Sequence, residues 1–179
     1  MVVLLIVWSH INVVVSDSMV PVMERGDFVI VSNANWEFNP NDVQVGDIVV
    51  YKAHWATDNY TIIESNILVN NKLLYLLDGP TTKPVIHRVI DKVQYKNNTY
   101  IVTKGDNNPI NDPELISVNQ IKQKVITING APLVIPYIGY ISIILKENII
   151  LASLLIILLY AYDYIRGDNK RKNNKQKTQ

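Results

Sequence analysis

Over residues 13–134 the apolar side chains come in short runs rich in Val and Ile, each closed by a turn signal, without helical spacing. β-branched side chains are stiff in a helix and pack well on a pleated surface, so this stretch predicts a mainly β domain. Strands are expected over 28–32, 48–52, 67–69, 73–76, 85–95, 99–103 and 121–128, with residues 13–15 opening the sheet. Asn39-Pro40-Asn41-Asp42, Asp78-Gly79-Pro80, Asn97-Asn98 and Asn129-Gly130 mark turns between them. Leu68, Leu73, Leu74, Leu76 and Leu77, within the long stretch of residues 53–84, predict a hairpin packed on the core. In a chain of 179 residues, 48% hydrophobic content is enough for one such core with apolar flanks.

The flanks read differently. Residues 1–12 are apolar apart from Ser9, His10 and Asn12, and are expected to form a minimal or truncated membrane anchor before the β domain of residues 13–137. Residues 138–165 predict a juxtamembrane segment and a C-terminal transmembrane helix. A span needs roughly 20 apolar residues, so residues 149–165 are somewhat short, and Lys146, Glu147 and Asn148 interrupt their extension. Tyr160, Tyr162 and Tyr164 match an aromatic belt, followed over 166–179 by a basic tail that favours a cytoplasmic C-terminus. These flanks predict a cell-membrane protein with its β domain outside the cytoplasm.

The chain has no cysteine, which excludes thiolate nucleophiles, disulfides and cysteine-ligated metal sites. A net charge of +1, without basic residues interleaved with aromatics, speaks against a nucleic-acid partner. His, Asp and Glu show no zinc-site spacing and there is no glycine-rich phosphate loop, so neither a metal nor a cofactor is expected. Ser16-Asp17-Ser18-Met19-Val20-Pro21 sits where an apolar strand leaves the apolar N-terminus, which suits a nucleophile held at a membrane surface. An unassisted serine is a poor nucleophile near neutral pH and needs a base, for which the chain offers His10, His54 and His87. A histidine base is helped by a carboxylate that fixes its tautomer, and Asp106 and Asp112 follow within one turn-rich segment.

Five ordered motifs gather these residues: Ser16-Asp17-Ser18-Met19, Gly46-Asp47, His87-Arg88-Val89, Gly105-Asp106-Asn107-Asn108 with Asp112, and Val134-Ile135-Pro136-Tyr137-Ile138-Gly139. In this order the chain resembles type I signal peptidases of the archaeal and endoplasmic-reticulum branch. The resemblance implies a β-rich catalytic domain and a membrane-bound serine endopeptidase that removes N-terminal signal peptides from exported preproteins after small residues. Preprotein signal peptides, membrane lipid and the protein-export channel are the partners it implies. It implies Ser18 as nucleophile and His87 as general base, where the bacterial relatives use a lysine; Lys83 is the fallback base. It makes Asp112 the expected partner of the histidine, with Asp106 supporting the site or sharing the role, and leaves open which of the two touches His87. The backbone N–H of Ser18 and the hydroxyl of Ser16 are the implied oxyanion donors, and Val20, Met23 and Val85 are candidates to line the substrate pockets. Asp17 stands where many relatives have glycine, and strand alternation would send it away from the face shared by Ser16 and Ser18. Two competing readings keep part of this pattern: a processing protease of the same superfamily with few substrates, and a non-catalytic membrane-anchored binding module.

Overall fold

A computed structural model describes residues 2–55, 62–69, 71–81 and 84–176. Lys83 lies outside the described residues. The chain divides into two compact units, Met1–Gly139 and Tyr140–Gln179. In the first, helix α1 (Val2–Ser9) precedes the strands β1 (Ile11–Val13), β2 (Phe28–Asn33), β3 (Ile48–Lys52), β4 (Ile62–Val69), β5 (Lys72–Asp78) and β6 (Pro84–Tyr95). There follow β7 (Asn98–Lys104), β8 (Ile116–Ser117), β9 (Ile121–Val125), β10 (Thr127–Ile128), β11 (Ala131–Pro132) and β12 (Val134–Ile135).

The main sheet is eight-stranded, in the order β1-β2-β9-β3-β6-β7-β8, with β12 also paired to β2. Its centre is β3, held antiparallel between β6 and β9. Successive β3 side chains point to opposite faces, and both faces are covered, which is why Ile48-Val49-Val50-Tyr51 reads as an unbroken apolar run. Ile48 and Val50 join Val14, Met19, Met23, Val29, Val31 and Val125 in one core. Val49 and Tyr51 join Val43, Ala53, Val89, Ile101, Ile116 and Ile121 in another. Burying a side chain of this size contributes roughly 1.5–3 kcal/mol, so β3 is the element on which both cores depend.

The stretch of residues 53–84 holds the β4–β5 hairpin, whose two strands, among the described residues, make a ladder with each other alone. Leu74 and Leu76 pack with Val102 and Leu115 in a third core, whereas Leu68 and Leu73 are exposed. Turn chemistry closes the other hairpins. Lys96 and Asn97 both have positive φ between β6 and β7, as do Asn129 and Gly130 between β10 and β11, the backbone pattern of a two-residue hairpin loop.

Three expectations need correction. The strand anticipated over 121–128 breaks at Ile126, whose N–H donates to Ile30 while its carbonyl accepts from Leu133, so the chain leaves the main sheet there to make the β10–β11 hairpin. At the N-terminus the sheet opens not at residues 13–15 but over Ile11–Val13, with residues 11 and 12 paired to Ile30 and Val29.

The second unit holds α2 (Gly139–Glu147) from its second residue on, and α3 (Ile149–Gln176), separate helices with Asn148 between them. The apolar part of α3 ends at Asp163, so it runs about 21 Å at 1.5 Å per residue, short of a hydrocarbon core of about 30 Å. Among the described residues no helix is long and apolar enough to cross a membrane, and the transmembrane helix expected over 149–165 is not found.

Candidate active site

The segment that carries Ser18 is a turn and not the continuation of a strand. β1 ends at Val13, and the chain then doubles back through hydrogen bonds between Val14 and Asp27 and between Gly26 and Val14. Met19 and Met23 drop into the core on either side of the turn, each 1% exposed, and pin it to the sheet. Met23 is therefore a core residue and presents no surface for a substrate, while Val20 and Val85 remain half-buried. Asp17 is exposed, and Ser16 Oγ lies 3.2 Å from Ser18 Oγ, so turn geometry and not strand alternation sets these three directions.

The loop of residues 105–108 clamps this turn from behind. Asn107 donates its backbone N–H to the Ser18 carbonyl at 2.9 Å and its side-chain amide to the Asp17 carbonyl at 3.1 Å. Gly105 is required here because a Cβ at its position would stand 2.6 Å from the Ser18 carbonyl oxygen and 2.8 Å from Asn108 Nδ2. The nearest obstruction is backbone, so relieving it shifts the Ser18 turn against the loop that clamps it. A Gly105→Ala chain is expected to keep a cooperative melt while losing about a hundredfold in any Ser18-dependent rate, the scale of a misplacement near 1 Å. Parallel melting and turnover measurements check this.

β6 supplies the imidazole. His87 pairs with Val49 across the ladder and is buried, with Nε2 3.1 Å from Ser18 Oγ and Nδ1 2.7 Å from Asp112 Oδ2. Asp112 arrives from beyond β7, its N–H bonded to the Thr103 carbonyl. Two hydroxyls also donate to Oδ2, Thr103 at 2.6 Å and Tyr51 at 2.8 Å. Burial alone would raise the Asp112 carboxyl, but the hydrogen bond and charge of His87 together with the two hydroxyls outweigh it and hold the group below its ordinary value. Burial and the adjacent Asp112 charge push the Tyr51 phenol well up, so it stays a donor. An ionised carboxylate only accepts; the network therefore assigns the proton of a neutral imidazole to Nδ1 and leaves the Nε2 lone pair facing Ser18.

Asp106 does not reach His87. Arg88, the next residue along β6, points to the other face and takes Asp106 in a two-pronged pair, Nε to Oδ1 at 2.8 Å and one terminal nitrogen to Oδ2 at 2.6 Å. Its other terminal nitrogen donates to the Gly46 carbonyl at 2.9 Å, so the Gly46-Asp47 and Gly105-Asp106 motifs are tied together through Arg88. The other two histidines are elsewhere: His10 Nε2 meets Glu37 at 2.8 Å, and His54 Nδ1 meets Glu114 at 2.6 Å. Among the described residues no group of His, Asp and Glu could hold a metal ion.

No protein-family model matches the chain. The chain is 52% identical to an uncharacterized protein of Methanocaldococcus jannaschii, over 95% of its own length and all of the relative's. It is 31% identical to the signal peptidase complex catalytic subunit SEC11 of Candida dubliniensis, over 79% of this chain and 68% of that one. The corresponding subunit of Schizosaccharomyces pombe is 29% identical, over 83% and 73%. The chain belongs to the signal peptidase family, of the archaeal and endoplasmic-reticulum type.

Tyr51, Thr103, Trp55 and Glu114 carry no expected site role in the motifs of this signal peptidase-family chain. Tyr51 and Thr103 lie inside expected strands, where an apolar neighbourhood disguises a hydroxyl aimed at Asp112. Glu114 carried no signal beyond being an acid two residues after another.

Proposed function

We propose that this protein is a membrane-attached serine endopeptidase that removes N-terminal signal peptides from exported preproteins, cutting after small residues. The observation that carries this reading is the unbroken hydrogen-bonded chain from Ser18 Oγ through both nitrogens of His87 to Asp112. Signal peptide processing is the activity stated by the names of the yeast relatives.

In the proposed reaction Ser18 Oγ attacks the scissile carbonyl carbon as its proton passes to His87 Nε2. The negative charge that develops on the carbonyl oxygen is met by the Ser18 N–H and the Ser16 hydroxyl, a contribution of about 3 kcal/mol per well-placed donor. His87 then returns the proton to the departing amine, and the C–N bond breaks to leave an ester on Ser18. Water, deprotonated by His87, hydrolyses the ester and restores the serine. Asp112 stays ionised throughout and steadies the imidazolium. Arg88 and Asp106 act as structure, joining the loops that flank the nucleophile. Val20 and Val85 border the substrate on this reading.

Membrane attachment is supported by exposed apolar side chains. Ile6, Val7 and Trp8 of α1 are exposed, as is every side chain of α3 from Leu154 to Leu159, a helix surface apolar on all sides. Membrane lipid and the protein-export channel are the proposed partners beside the preprotein.

Incubating the purified full chain in detergent with a preprotein that carries an Ala-x-Ala site, and mapping the products by mass spectrometry, tests the activity. A single cut immediately after that site is expected. An intact preprotein, or cuts scattered along it, would overturn the assignment.

A further inference from the structure

Beside the Ser18–His87–Asp112 chain the fold buries a second acid that the proposed reaction does not use. Glu114, two residues after Asp112, is fully buried. Its Oε1 accepts from Gln120 Nε2 at 2.7 Å and lies 2.6 Å from His54 Nδ1. Its Oε2 accepts the backbone N–H of His54 at 2.7 Å and that of Trp55 at 3.4 Å. Gln120 also donates to the Lys52 carbonyl at 3.0 Å. Two acids two residues apart thus grip one stretch of chain: Asp112 at Tyr51, and Glu114 at His54 and Trp55.

What that grip positions is the Trp55 ring. It packs on the core that contains Tyr51 and Val49, and it lies nearly parallel to the His87 ring, with centroids 6.5 Å apart and planes 19° from each other. This is the range of offset aromatic stacking. The indole Nε1 is buried with no hydrogen-bond partner among the described residues, a cost that a phenylalanine would avoid while leaving part of the indole's space empty. The two hydrogen bonds of His87 run from its two ring nitrogens, and tilt about the line joining those atoms is the motion they resist least. A flat ring set nearly parallel beside the imidazole limits that tilt and keeps the Nε2 lone pair on Ser18.

We propose that Trp55 is a positioning residue for His87, its indole face setting the plane of the imidazole, and that buried Glu114 holds it there. The proposal rests on the reading of Ser18, His87 and Asp112 given above.

The test uses the full chain in detergent and the Ala-x-Ala preprotein. Ser18→Ala is the first control: if cleavage persists in it, the nucleophile assignment fails and the Trp55 variants are not its cause. Given Ser18-dependent cleavage, Trp55→Leu keeps apolar bulk without a flat ring and is expected to lower kcat ten- to a hundredfold, with KM within about twofold. Trp55→Phe keeps a ring and removes the unpaired N–H, so kcat stays within about threefold. Glu114→Gln lowers kcat in the same direction, and joined to Trp55→Leu it adds less than the product of the two single effects. Equal kcat in the Leu and Phe variants, or a loss confined to KM, would overturn the proposal. The His87 ring-proton resonances give a readout apart from activity. They lie in the Trp55 ring current, so they shift in Glu114→Gln if that acid holds the ring, and stay in place if it does not.

Discussion

A Ser18→Ala chain is expected to cut the Ala-x-Ala preprotein about a millionfold more slowly than the unmodified chain, at an unchanged melting temperature. Ser18 Oγ is the atom that His87 Nε2 addresses, at 3.1 Å. Ser16 reaches Ser18 and not the imidazole, so its hydroxyl cannot inherit the role. The Ser18 side chain is only half-buried and bears no packing load, and substitutions at such positions usually move stability by no more than about 0.5 kcal/mol. The large loss in rate and the small change in stability separate a chemical role from a structural one. Single-turnover measurements with the protein in excess over preprotein read the rate. A residual rate above about one hundredth of the original would move the nucleophile elsewhere.

Asp112→Asn is expected to cost about 10⁴-fold in kcat with the shape of the site preserved. Three donors converge on Oδ2, from His87, Thr103 and Tyr51. An amide oxygen there still accepts but carries no charge to steady the imidazolium, and an amide nitrogen there faces three donors and turns the imidazole to the wrong tautomer. The same substitution changes acid stability in a defined sense. The Asp112 carboxyl is held below its ordinary value in the folded chain, so it binds a proton more readily when unfolded. Its contribution is therefore complete above the ordinary aspartate value of about 3.9 and is lost as pH falls through the lower folded value. Melting temperatures taken from pH 6 down to pH 2 are expected to fall more steeply below about pH 4 in the unmodified chain than in Asp112→Asn. Parallel curves would mean that Asp112 does not titrate as the hydrogen-bond network requires.

Local order was legible wherever a short-range preference and the tertiary environment agreed. The β3 strand over 48–52 was visible because both of its faces are buried and every position is apolar or long-stemmed. Asn129-Gly130 announced its hairpin because those residues tolerate the positive φ that the loop needs. The hairpin within residues 53–84 was visible in its leucines, but which of them would be buried was not. Leu74 and Leu76 face Val102 and Leu115, whereas Leu68 and Leu73 look outward, a choice made by how the hairpin lies on its neighbours. The break at Ile126 was hidden because an apolar run reads the same whether it continues a ladder or leaves it.

The membership of the candidate site was largely written in the sequence, since only residues of certain types can attack, take a proton or hold a charge, and the chain offers few of them. Three histidines, two aspartates in one turn-rich segment and a serine between apolar runs narrow the choice before any folding is considered. Their pairing was not written there. Asp106 and Asp112 are chemically identical, and both stand near the end of β7. His87 and Arg88 are adjacent on β6 and point to opposite faces, so each aspartate could meet a cation or an imidazole until the strands are placed. The ladder between β6 and β7, with Arg88 opposite Lys104 and Val89 opposite Thr103, puts Asp106 on the Arg88 side. Asp112, tied back to Thr103, comes to the His87 side. Residue type determined what chemistry this protein can carry; the register of its strands, a property of distant backbone pairing, decided which acid meets which base and brought Trp55 and Glu114 up behind them.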